Sequence, residues 1–375
     1  MIELSLLKDV PHKNSRSLGL DYMRAIAIIL VLIAHWSNNI LFWFGITPNA
    51  LIFFTGELGI HLFFALSGFL IGNILLDQVK RDASWKNLFV FLVRRWMRTL
   101  PLYYVVLAVL FLVFPPGAHA VDYLVQFGTL TQNLFKPMPG APSYWFSVSW
   151  SLTIEEWFYV AFGSALFLSA RLIRGAWASW LPIFLFLAVP LILRLSFRDF
   201  SLPPYLWLRT VIFRLDEIAY GVVMAKLYAA NSFVFRSPII CFSIGIGLIL
   251  NACFGNTSLA WGINSAIVGC ALLIPLTVII KPSSGLIARI GQTISAQSYG
   301  LYIMHLTILV NVAQYLWWKH LASAWVCAII AITAPFFISY LSFHFFESPI
   351  LRLRPKHSKR IDLAQAREGG PAPIV

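Results

Sequence analysis

The chain has 375 residues, of which 59% are hydrophobic and only 11% charged, with 31 Phe, 14 Trp and 13 Tyr. Such a composition excludes an ordinary soluble domain and predicts an all-α, polytopic transmembrane helical bundle. The net charge of +13 does not point to nucleic acid, because most Lys and Arg fall in short segments between apolar runs, where they set topology.

The residues before Leu20 are polar, with Lys8, Lys13 and Arg16, and show no short apolar core followed by a small-residue cleavage site. They read as a retained cytoplasmic N-terminal arm over 1–19. Apolar stretches able to cross a bilayer follow at about 20–41, 58–76, 99–115, 149–170, 177–195, 204–229, 237–254, 259–280, 296–318 and 322–347. This gives about ten helices in a membrane domain over 20–352. Basic clusters recur at every second connection, among them Lys80, Arg81 and Lys86, then Arg171 and Arg174, then Lys226 and Arg236, so both termini are expected in the cytoplasm. The outward connections are poorer in charge, with Lys136, Arg194, Arg198 and Lys319 as exceptions. The stretch 353–375 is polar and basic and is expected to be a disordered cytoplasmic tail, with no second folded domain.

The first span opens LDYMRAIAIILVLIAH over 20–35 and carries Asp21, Arg24 and His35 among aliphatic residues. On a helix the step from Arg24 to His35 is about three turns, roughly 20° from alignment and ~16 Å of rise, so both face one way. Asp21 joins the same stripe. Ionisable groups in a span face a bundle interior, a wet cavity or a partner. The plain alternative is a snorkelling Asp21–Arg24 pair and one hydrogen-bonded core histidine. In the second span, ELGIHLFFALSGFLIG, His61 lies four residues from Glu57 and could pair with it, while Ser67 and Gly68 allow close helix approach.

The segment FLVRRWMRTLPLYY is taken as a cytoplasmic connection. Its Arg95 and Arg98 stand one helical turn apart, a fork suited to phosphate oxygens with Arg94 beside it, although a simple topological anchor explains them too. A long outward loop, about Pro115 to Ser149, contains KPMPGAPSYWFSVSW. There Trp145, Phe146 and Trp150 could stack on a sugar face, an interfacial aromatic belt being the commoner explanation. The fourth span begins WSLTIEEWFY, and paired acids such as Glu155 and Glu156 in an apolar helix favour function over structure. Farther on, RTVIFRLDEIAYG places Arg209, Arg214, Asp216 and Glu217 together, with Arg214 and Glu217 spaced for an internal ion pair, and SYGLYIMH puts Ser298, Tyr302 and His305 on one face. Cys241, Cys253, Cys270 and Cys327 sit in apolar sequence without CxxC spacing and read as packing residues. With no GxGxxG, Walker, HExxH or EF-hand pattern, neither a metal site nor a permanently bound cofactor is expected.

Taken in series, LDYMRAIAIILVLIAH at 20–35, GIHLFFALSGFL at 59–70, FLVRRWMRTLPLYY at 91–104, WSLTIEEWFY at 150–159, SYGLYIMH at 298–305 and FESP at 346–349 resemble the integral-membrane acyltransferase family 3. Its members are O-acyltransferases of bacterial surface polysaccharides and of some small molecules. The resemblance implies a multi-pass protein of the bacterial inner membrane. It would move an acyl group, commonly acetyl, from cytoplasmic acyl-CoA to a hydroxyl of a glycan or glycolipid acceptor. Membrane lipid, further copies of the chain or glycan-assembly proteins would be its other partners. The family's Arg and His with ten residues between them fall on Arg24 and His35, and its Arg-x-x-Arg on Arg95 and Arg98. Many relatives carry Asp at the position of His61. Many also carry a C-terminal SGNH-hydrolase-like domain that this sequence lacks, so transfer is expected to be completed by the membrane domain or by a separate protein.

Acyl transfer from a thioester to an alcohol needs a base or an acyl-carrying nucleophile, and positive charge for donor phosphates and the developing oxyanion. His35 suits the first role by either route, Arg24 an oxyanion or a phosphate, and Arg95, Arg98 and Arg94 the CoA phosphates. Glu155 or Glu156 would orient His35 if their helices pack together. Asp21, His61, Ser67, Trp145, Trp150, Tyr302 and His305 are supporting or acceptor positions. Two alternatives remain: acylation of a macrolide or other small molecule, and a transporter of a lipid-linked glycan or small molecule. Against the transporter stands the absence of a visible internal repeat.

Overall fold

The computed structural model describes residues 17–138, 145–196, 207, 209–256, 258–281 and 283–355. The expected arm and tail lie outside these residues, apart from 17–19 and 353–355. The fold is all-α: no strand occurs among the described residues. In hydrocarbon every backbone N–H and C=O must be satisfied within the segment, and a helix does this locally.

The long helices are α1 (Leu18–Trp43), α2 (Ala50–Arg81) and α3 (Trp85–Val113), followed by a short α4 (Ala120–Gly128). Next come α5 (Ser149–Leu172), α6 (Trp177–Ser196), α7 (Leu215–Ala229) and α8 (Pro238–Phe254). The last are α9 (Leu259–Leu272, prolonged by Ile274–Val278), α10 (Leu286–Ile308) and α11 (Ala324–Ser342). Local capping sets several starts: Asn49 Oδ1 accepts from the Leu51 N–H at 2.6 Å, and Ser84 Oγ and Ser323 Oγ accept from Asn87 and Val326 N–H at 3.4 Å. Six stretches are long and apolar enough to cross a membrane: Leu18–Trp43, Leu51–Arg81, Trp85–Val113, Trp177–Ser196, Leu259–Val278 and Ala324–Arg352. The other expected spans coincide with α5, α7, α8 and α10, which fall short of that measure.

Several boundaries differ from the sequence reading: α2 begins at Ala50 and not 58, α7 at Leu215 and not 204, and α10 at Leu286 and not 296. Helix α3 begins at Trp85, well before the expected span at 99, so Arg94, Arg95 and Arg98 are helical rather than part of a connection. A hydropathy window stops at the arginines, but a helix with one charged face continues through them. The outward loop likewise contains α4 and a preceding turn of 3-10 helix.

Helix α2 is the central element, packed on α1, α5, α7 and α9, while α10 closes on α1 from the other side. Lipid gives apolar helices no hydrophobic reason to associate, so close approach depends on small residues. Gly68 and Gly221 provide it. A Cβ on Gly68 would stand 1.9 Å from the Ile218 carbonyl oxygen, and one on Gly221 2.2 Å from that of Ala65. Gly68 is thus the packing residue expected. A second feature of this core is charge: Arg194 on α6 forms a two-pronged ion pair with Asp216 on α7 and donates to Asn264 Oδ1 on α9 at 2.8 Å. Arg194, assigned by sequence to an outward connection, is buried inside α6.

Candidate active site

A cavity opens between α1, α2, α3, α5 and α10, with Arg24, Ser67, Arg95, Arg98, Glu155 and Tyr302 among its walls. Helical periodicity delivers each group. Glu155 and Tyr159 are one turn apart on α5, Arg95 and Arg98 one turn apart on α3, and Ser298 and Tyr302 one turn apart on α10. Among the described residues no carboxylate stands within ion-pair distance of Arg95 or Arg98. Their positive charge therefore faces the cavity, whose one described acid, Glu155, is not within ion-pair distance of either. Outside the span, Arg354 adds to the same field: burial, then the charges of Arg98, Arg95 and Arg94, push its guanidinium down to about 10. It stays charged at neutral pH.

The other arginine of this group behaves differently. Arg94 Nη1 donates to the Pro355 carbonyl at 2.5 Å and is absent from the cavity wall, so it tethers the end of the last helical segment. Asp21 and Arg24 are bridged rather than directly paired in the contacts seen: Ser295 Oγ donates to Asp21 Oδ1 at 2.8 Å and receives Arg24 Nη1 at 3.4 Å. Ser295 was missed by the sequence reading, although it stands three residues before Ser298 on the stripe that also holds Tyr302 and His305.

The two adjacent glutamates separate. Glu155 lines the cavity beside Ser67, whose Oγ is 3.2 Å from Tyr159 Oη. Glu156 is buried behind the wall and accepts from Thr99 Oγ1 at 2.7 Å. Neither orients His35. The neighbour of His35 is His305 on α10, with His305 Nε2 3.2 Å from His35 Nδ1. The histidine pair does not line the cavity. Tyr302 stands between, its hydroxyl 2.6 Å from Ser151 Oγ and its ring centroid 6.0 Å from that of His305.

His61 does not pair with Glu57. Its Nδ1 meets Glu217 Oε2 at 2.8 Å, while Glu57 receives Arg209 at 3.2 Å and Arg214 at 3.1 Å, and Arg214 reaches Glu217 at 3.0 Å as its spacing predicts. A helix position faces three or four neighbours, and here the facing helix α7 supplies a better-placed acid than the preceding turn does. His61 thus belongs to a buried ion network and not to the cavity. In the aromatic stretch the rings are engaged within the protein. Phe146 is 1% exposed and stacks on Tyr103, Trp150 is 6% exposed with Arg209 and Arg214 on its ring at 5.4 and 5.1 Å, and Trp145 Nε1 donates to Phe114 at 2.6 Å. Residues 139–144 of the same stretch lie outside the described residues.

A family profile described as an acyltransferase domain matches residues 17–344. The chain belongs to this acyltransferase family. It is 25% identical over 391 residues to the peptidoglycan O-acetyltransferase OatA of Listeria monocytogenes, an alignment covering 88% of this chain and 55% of that protein. It is likewise 25% identical over 363 residues to the O-acetyltransferase OatA of Staphylococcus aureus, covering 88% and 57%. The chain thus spans little more than half the length of these relatives. No solved structure matches it significantly. The matched region contains the cavity arginines, Glu155 and both histidines, and ends before Glu347 of FESP, which is buried and accepts from Ser342 at 3.1 Å.

Proposed function

We propose that the chain is a membrane O-acyltransferase that moves an acyl group, acetyl in the first instance, from acyl-CoA to a hydroxyl of a cell-surface glycan or its lipid-linked precursor. The observation that carries this reading is the cavity whose wall holds Arg95 and Arg98 without an ion-paired acid. Guanidinium groups desolvated in this way suit a polyanion such as the phosphates of CoA. The pantetheine arm would run past Arg24 and Glu155 to Tyr302, whose side chain stands between the cavity and the histidine pair and would have to turn aside for the thioester to reach His35. His35 then takes the acceptor's proton or carries the acyl group itself. The reading places the arginine-rich end in the cytoplasm of a bacterial inner membrane and the acceptor on the other side. OatA relatives named as O-acetyltransferases support the acetyl donor and the hydroxyl acceptor.

The test is purified protein, wild type beside His35→Ala, incubated with acetyl-labelled acetyl-CoA and a glycan extract of the host. Base-labile label in the glycan that disappears in His35→Ala is the expected result, with the variant still folded and inserted. Label that never leaves CoA in the wild type would reject the reading.

A further inference from the structure

His305 has 0% exposure and cannot touch a substrate, whereas His35 remains half-buried. The surroundings of the two rings determine where their protons sit. His305 Nδ1 is 2.8 Å from the Tyr302 carbonyl oxygen and 3.1 Å from that of Leu301. Carbonyl oxygens only accept, so this Nδ1 carries a proton, and in a neutral ring the lone pair is then on Nε2. That Nε2 faces His35 Nδ1 at 3.2 Å, and the same Nδ1 is 2.9 Å from the Val31 carbonyl oxygen. Both neighbours of His35 Nδ1 accept, so it must donate, and the lone pair of His35 is on Nε2.

We propose that His305 is a positioning residue that holds His35 as its Nδ1–H tautomer and thereby makes His35 Nε2 the reacting atom. The proposal rests on the acyl-transfer reading above. Nε2 takes the proton of the acceptor O–H while that oxygen attacks the thioester carbonyl carbon. The C–S bond then breaks, and the proton returns from Nε2 to the leaving thiolate, giving an ester and free CoA thiol. While Nε2 holds the proton the ring is an imidazolium, and its Nδ1–H bond to His305 becomes charge-assisted, stronger than in the resting state. A neutral imidazole does the work of an orienting carboxylate without adding a negative charge to the span. If the acyl group is carried on His35 instead, Nε2 is again the atom with the lone pair. The charged and titratable groups facing the pair are Glu57 from α2, Arg209 from the segment before α7, and Tyr302 from α10.

The decisive measurement is nitrogen NMR of the full-length protein in lipid nanodiscs with isotope-labelled histidine, the His35 signals being identified by their loss in His35→Gln. The expected spectrum has His35 protonated at Nδ1 and unprotonated at Nε2, and the opposite tautomer overturns the proposal whether or not the protein is active. In His305→Ala, where the Val31 carbonyl alone still accepts from Nδ1–H, the Nε2–H tautomer of His35 should become detectable beside the Nδ1–H one, and kcat from acetyl-CoA should fall about 100-fold with KM for acetyl-CoA unchanged. His305→Gln, whose side-chain oxygen accepts from Nδ1–H, should recover most of kcat. An unchanged kcat in His305→Ala also overturns it. Wild-type protein with the expected tautomer that moves no label from acetyl-CoA would instead reject the acyl-transfer reading and leave the tautomer assignment standing.

Discussion

Arg95 and Arg98 owe their interest to what does not surround them. An arginine on a membrane helix is tolerated when an acid, backbone carbonyls or water meet it. Arg194, Arg209 and Arg214 each have an acid, whereas these two face a cavity. A charge-assisted hydrogen bond to a phosphate is worth about 1.5–3 kcal/mol, so Arg95→Ala with Arg98→Ala should raise KM for acetyl-CoA by at least about tenfold. KM for the acceptor should stay within about twofold, because the acceptor needs no phosphate. Steady-state kinetics with each substrate varied in turn checks this, and equal effects on both would remove the arginines from donor binding. Glu155 makes a second case at this scale. It lines the cavity and Glu156 does not, although the two are neighbours, because a helix turns about 100° per residue.

At the scale of the element, α2 and α7 touch backbone to backbone at Gly68 and Gly221. A methyl group at Gly68 meets a carbonyl oxygen of the partner helix, which cannot rotate away as a side-chain tip can. Overpacking of this kind costs about 1–3 kcal/mol, and a backbone clash belongs at the upper end of that range. Gly68→Ala should therefore lower the melting temperature of the detergent-solubilised protein by several degrees, and by more than an alanine at Gly247, where a Cβ meets nothing within 4 Å. Equal melting of the two variants would show that α2 and α7 do not pack as described. The shift would also reach the site, since α2 carries Ser67 on the cavity wall one residue from the contact.

Across the whole molecule, two polar systems run through the bundle. One is the cavity of α1, α2, α3, α5 and α10, with Arg24, Arg95, Arg98 and Glu155 on its wall. The other consists of two ion clusters, Glu57 and His61 of α2 with Arg209, Arg214 and Glu217 at α7, and Arg194 of α6 with Asp216 of α7 and Asn264 of α9, where the described acids are met by bases. Paired charges suit a structural brace, because removing one partner leaves the other buried and uncompensated at a cost of about 3–5 kcal/mol. Asp216→Ala should thus destabilise the protein by that order in an unfolding measurement while leaving KM for acetyl-CoA in the surviving folded fraction unchanged. A large rise in that KM would mean that the brace and the cavity act as one site.

The sequence by itself determined the membrane class and roughly where the apolar helices lie, because a span is a local property of about twenty consecutive side chains. It also determined that Asp21, Arg24 and His35 lie on one face, and likewise Ser298, Tyr302 and His305, because a helix repeats every 3.6 residues. Only the tertiary structure decided that these two faces meet, bringing His35 to His305 across 270 residues of sequence. It also decided that His61 belongs to Glu217, that Glu155 faces the cavity, that Arg94 holds Pro355, and that Trp150 lies beneath Arg209 and Arg214. Each of these depends on the rotation and depth of one helix against another, and that is set by small-residue contacts such as Gly68 on Ile218, far apart in the chain and without a local signature.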